Sequence, residues 1–155
     1  MLRRIVRGIR FLLRIGRGRR GESSRTARSP DTEAARNTLK EANATWTLTG
    51  VDTGLVTNLS GSFAGMANLS DTSGGTLMAT GATWTLTGLN TGCVSYLSGT
   101  FAGMANLSDT SGGTLKAAGA TWTLTGANTG SISLLSGTFA GMKTLSSTDE
   151  QKGKA

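Results

Sequence analysis

The sequence predicts an all-β chain: a short right-handed parallel β-helix (solenoid) of about six coils, preceded by a basic amphipathic N-terminal helix and a linker. Three observations predict it. Trp46, Trp84 and Trp122 recur at a fixed interval of 38 residues, inside near-identical strings. Large apolar residues alternate with threonine in Thr45-Trp46-Thr47-Leu48-Thr49, the period of a strand. The chain holds 23 glycines, which close many short segments and disfavour helix.

The repeat sets the layout. Copy one spans 44–81, copy two 82–119 and copy three 120–146, so the solenoid is expected over 44–146. Residues 147–155 form a polar tail. Within each copy, aligning Leu48 with Leu69 brings Gly54 onto Gly75 and Val56 onto Leu77. On that alignment each copy divides into two coils of similar length, a size that solenoids use.

An isolated strand of this kind cannot bury its apolar face, and stacking successive coils removes the problem. The expected core is therefore Trp46, Leu48, Val56, Phe63, Leu69 and Leu77, with their counterparts in the later copies. Those are Trp84, Leu86, Val94, Phe101, Leu107 and Leu115, then Trp122, Leu124, Ile132, Phe139 and Leu145. Copy three breaks off: Ser147-Thr148-Asp149-Glu150 replaces the turn and the Gly-Gly-Thr-Leu strand. Either a polar cap or a frayed end would result.

Charge divides the chain differently. The formal net charge is +7, yet residues 1–43 carry +8 and the remainder −1. In residues 1–21, Leu2, Ile5, Val6, Ile9, Leu12 and Leu13 recur at helical spacing, and Arg3, Arg7, Arg10, Arg14 and Arg17 take the other side. Such a helix suits an anionic membrane surface, with arginines at the phosphates. No sequence-specific nucleic-acid contact is expected from it. It does not read as a signal peptide, because Arg10 and Arg14 cut the apolar core Phe11-Leu12-Leu13. Residues 22–43 form a polar linker. Ser29-Pro30-Asp31 could start a short helix there, with Ala34, Ala35 and Leu39 as a thin apolar face over the solenoid's open end.

Catalysis, metals and cofactors find little support. The chain has no histidine and one cysteine, Cys93. Cys93 falls where the other copies have Leu55 and Ser131, a tolerant position. Asp71 and Asp109 sit in Ser-Asp-Thr-Ser-Gly-Gly, a turn in which aspartate bonds nearby backbone. Gly74-Gly75 and Gly112-Gly113 lack the lysine of a phosphate loop. A threonine ladder that orders water is expected to be broken, with Thr45, Thr47 and Thr49 meeting Asn68 and Ser70. The Asn-x-Ser/Thr strings at Asn43, Asn58, Asn68 and Asn106 follow from a Thr- and Ser-rich composition.

The strings TWTLTGANTGSISLLSGTF and FAGMANLSDTSGGTL resemble repeats of filamentous haemagglutinin-like adhesins and autotransporter passengers, over about residues 44–145. The resemblance implies a non-catalytic module at the bacterial cell surface or outside the cell. Its partners would be host or neighbouring-cell surface molecules. Two alternatives stand beside it: a cationic protein acting on membranes through residues 1–21, and a non-functional fragment of a large exoprotein.

Overall fold

A computed structural model describes residues 37–147. The basic segment 1–21, the tail from 148 and most of the linker lie outside the described residues. Eleven strands and no helix make up the described chain, which winds as a β-solenoid of about four turns.

The elements follow the repeat. β1 spans Thr38–Glu41. Copy one gives β2 (Thr45–Gly50), β3 (Thr53–Val56), β4 (Ser62–Ala64) and β5 (Asn68–Ala79). Copy two gives β6 (Thr83–Gly88), β7 (Thr91–Val94) and β8 (Phe101–Ala117). Copy three gives β9 (Trp122–Gly126), β10 (Thr129–Ile132) and β11 (Phe139–Ser146).

The strands pair in two ladders, which form two walls around one core. The first wall runs β4-β3-β2-β5-β8-β11-β10-β9. The second runs from β1 to the start of β5, the start of β8, β7, β6, the end of β8 and the end of β11. Strands β5, β8 and β11 are long because each bends from one wall to the other. Eight strands at about 4.8 Å spacing make the first wall ~35 Å tall.

Each copy makes three visits to the walls, which is one and a half turns. In copy two, β6, β7 and the start of β8 form an antiparallel meander on the second wall. The chain then crosses to the first wall and returns to the second within β8. The meander runs backwards, dropping two strands before the climb resumes. Because a copy ends half a turn out of phase, the meanders alternate: first wall, second wall, first wall.

This winding overturns the six-coil expectation. Leu48 and Leu69 are not stacked equivalents. Leu48 pairs with Gly54 on the first wall, and Leu69 pairs with Leu39 and Phe101 on the second. Residues that do stack in parallel are 30 to 32 apart, as in Trp46–Leu77–Leu107–Phe139 and Trp84–Leu115–Leu145. A column therefore moves backwards through the repeat: Trp, then Leu, then Leu, then Phe.

Strand alternation places the core. Trp46, Leu48, Val56, Phe63, Leu69 and Leu77 are buried, as are Trp84, Leu86, Val94, Phe101, Leu107, Leu115, Ile132 and Phe139. In every copy the tryptophan meets a phenylalanine edge-on: Trp46–Phe63 and Trp84–Phe101 at 6.4 Å, Trp122–Phe139 at 6.1 Å. Each such pair contributes roughly 0.5–1.5 kcal/mol beyond area burial. Ala44, Ala67, Ala79, Ala82, Leu97, Met104, Ala117, Leu135 and Met142 complete the core.

Three residues expected in the core differ. Leu124 is 64% exposed, and Trp122 and Leu145 are half-buried. The reason is position. Trp46 is covered by β5 and Trp84 by the end of β8, whereas β9 pairs with β10 alone among the described residues. The linker expectation also changes at its end. Residues 38–41 are a strand, and Leu39 packs on the core from β1.

Candidate functional site

The corners where the chain changes walls carry the most constrained chemistry. Asp71 lies in β5 and is 4% exposed. Its Oδ1 accepts the N–H groups of Asn43 and Ser73, each at 2.9 Å. Its Oδ2 accepts the N–H of Ala44 at 2.9 Å and the indole N–H of Trp46 at 3.2 Å. Asp109 repeats the arrangement. Oδ1 takes Gly81 and Ser111, and Oδ2 takes Ala82 and the Trp84 indole. The turn bond to Ser73 or Ser111 is local, as expected, but the other three donors come from the preceding turn of the solenoid. These aspartates are clasps between turns.

Burial alone would raise both carboxyls. For Asp71 the donors Ala44, Ser73, Asn43 and Trp46 outweigh it and hold the group below its ordinary range. For Asp109 the donors Ala82, Ser111, Gly81 and Trp84 do the same. The clasp also explains a glycine. A Cβ on Gly75 would run into Asp71 Oδ2 and the Ala44 carbonyl, and on Gly113 into Asp109 Oδ2.

A second fastener links the copies. Asp52, Asn90 and Asn128 stand at the meander tips with φ of 53°, 56° and 57°, a conformation that Asp and Asn tolerate. Asp52 Oδ1 accepts the Ser98 N–H at 2.8 Å, and Oδ2 accepts the Ser98 hydroxyl at 2.6 Å. Asn90 holds Ser136 in the same way, accepting its N–H and donating to its hydroxyl. Asn68 and Asn106 accept the N–H groups of Thr100 and Thr138, each at 3.0 Å. Asp52, Asn68, Asn90 and Asn106 thus all use their side chains to tie turn to turn.

Outside the core, the walls show threonine and serine. Thr45 neighbours Thr76, which neighbours Asn106 on the first wall. Thr83, Thr114 and Thr144 form a continuous row on the second. The expected contact of Thr45 and Thr47 with Asn68 and Ser70 is not made; their partners are Thr76 and Met78. Val51 and Leu89 project from the meander tips, 66% and 63% exposed. Cys93 is half-buried and free.

Among the described residues, no group of three or more His, Cys, Asp or Glu converges. No helix there is long and apolar enough to cross a membrane. Arg3, Arg7, Arg10, Arg14 and Arg17 lie outside the described residues. Sequence reasoning missed the clasps and β1. Each had a signal: Asp71 and Asp109 lead a Gly-Gly pair in both copies, and Thr38-Leu39-Lys40 repeats Thr114-Leu115-Lys116. No family model matches the chain, and neither does any curated protein or solved structure.

Proposed function

We propose that the protein is a non-catalytic display module of the adhesin type, a right-handed β-solenoid at the cell surface or outside the cell. Parallel crossover connections wind right-handed almost without exception. The row Thr83–Thr114–Thr144 carries the reading, because it sets hydroxyl groups at strand spacing on an outer wall. Such a row offers hydrogen-bond donors and acceptors to polar molecules on host or neighbouring cells. The half-turn phase puts the repeated tips on both walls, so contact from two sides adds avidity. The two buried aspartates support the same reading, since N–H donors occupy their oxygens.

The test is binding of the full chain to intact cells and to a panel of surface glycans. Binding that falls when Thr83 and Thr144 are changed to alanine supports the proposal. Equal binding by that variant, or none across the panel, counts against it.

The arginine spacing of residues 1–21 favours a second reading, attachment to anionic membranes. Changing Arg3, Arg7, Arg10, Arg14 and Arg17 to glutamine would then abolish binding to phosphatidylserine vesicles. Unchanged vesicle binding would remove this reading.

A further inference from the structure

The two ends of the solenoid are complementary, and the complement is the junction already used inside the chain. At the C-terminal end, β9 tops the first wall and the end of β11 tops the second. At the N-terminal end, β4 closes the first wall and β1 the second. Each edge has a known counterpart within the molecule. A Trp-bearing strand is covered by a Thr-Leu strand: Trp46 by Leu77, Trp84 by Leu115. A Leu69-type strand is covered by a Phe63-type strand: Leu69 by Phe101, Leu107 by Phe139.

Among the described residues, the outermost edges are these halves. Trp122 in β9 lacks a Thr-Leu strand above it among the described residues, and β1 is such a strand, Thr38-Leu39-Lys40. Leu145 at the end of β11 lacks a Phe strand above it among the described residues, and β4 carries Phe63. The walls are out of phase by half a turn, so one rotation of a second copy brings both pairs together. The chain's own continuation fits worse at β9, because Gly153 stands where Leu77 and Leu115 stand in the earlier copies.

We propose that the protein stacks head-to-tail on a second copy of itself, β9 pairing with the next copy's β1 and the end of β11 with its β4. Trp122 then meets Leu39 of the next copy, and Leu145 meets Phe63, both in parallel register. The contact joins unlike surfaces, so it repeats without closing and yields filaments. It departs from the internal junction at three places: Ser147 replaces the clasp aspartate, Thr144 replaces the asparagine of Asn68 and Asn106, and Glu41 stands where Ala79 and Ala117 are buried. The junction is thus weaker than the turns it copies, and it forms at raised concentration.

The experiment uses the full chain. Sedimentation velocity across a hundredfold concentration range should show mass rising beyond the dimer. Hydrogen exchange at the high end should gain protection in 38–41, 62–64, 122–126 and 142–145. Leu124→Glu, at a side chain already exposed, should weaken association about tenfold or more by burying a charge at the junction. Leu89→Glu, exposed on a meander tip, should leave association unchanged. A constant single-chain mass overturns the proposal, as does protection gained elsewhere or equal loss in both variants.

Discussion

Asp109, where the chain bends back from the first wall, accepts the indole N–H of Trp84 from the second at 3.3 Å. One carboxylate thereby joins the walls, closes a corner and satisfies a buried indole. Replacing Asp109 with alanine leaves the Ala82 N–H and the indole without their acceptor. We expect a loss of about 3 kcal/mol in urea unfolding, since stranded buried donors cost ~1–3 kcal/mol each. Ser147 at the corresponding site should tolerate alanine within about 0.5 kcal/mol.

The clasps set a pH dependence. Both carboxyls are held below the ordinary Asp value in the folded chain. Unfolded aspartates titrate near ~3.9, so the unfolded chain binds protons first as pH falls. The clasp contribution is complete above that value and is lost as pH drops through the lower native one. Urea midpoints should therefore be flat from neutral pH to about pH 5 and fall steeply below about pH 4. Asp71→Asn with Asp109→Asn should flatten that fall, and an unchanged slope would contradict the clasp.

One repeat position should behave in two ways. Leu86 is 4% exposed and Leu124 is 64% exposed, although both stand two residues after a tryptophan. Leu86→Ala should cost about 2–5 kcal/mol, the range for a buried leucine. Leu124→Ala, measured at dilute concentration, should stay within about 0.5 kcal/mol.

Gly65 and Gly103 separate strain from contact. Both have positive φ, 70° and 72°. A Cβ at Gly65 meets nothing within 4 Å, whereas at Gly103 it strikes the Asp71 carbonyl. Alanine at Gly65 should cost about 1–2 kcal/mol, the left-handed penalty alone. Alanine at Gly103 should cost clearly more, and thermal unfolding of the two variants side by side checks the order.

The strands were legible in the sequence and the winding was not. Trp46-Thr47-Leu48 announces a half-buried strand because alternation is a local property. Whether the next strand stacks a turn later or folds straight back is decided by the connection. Val51-Asp52, followed by Thr53-Gly54, is a two-residue hairpin link, and Leu89-Asn90 repeats it. The alignment of Leu48 with Leu69 gave six short coils, whereas hairpins at these links give a meander and a longer turn. The clasps were half legible. The Ser73 bond follows from the turn sequence, but bonds to Asn43, Ala44 and Trp46 depend on a register that no local pattern encodes. Leu124 was misplaced for a related reason, since its cover would come from residues whose sequence has departed from the repeat.

The central claim is that each copy makes one and a half turns with one backward meander, which leaves stacked neighbours about 31 residues apart. Paired cysteines in a Cys93→Ser background test it most directly. Thr83 and Thr114 are register partners, and Thr45 and Thr83 are repeat equivalents on opposite walls. On mild oxidation of the dilute chain, Thr83→Cys with Thr114→Cys should close an intramolecular disulfide, because facing strand positions lie within the required Cα separation. Thr45→Cys with Thr83→Cys should remain reduced. A disulfide in the second pair and none in the first would contradict the account.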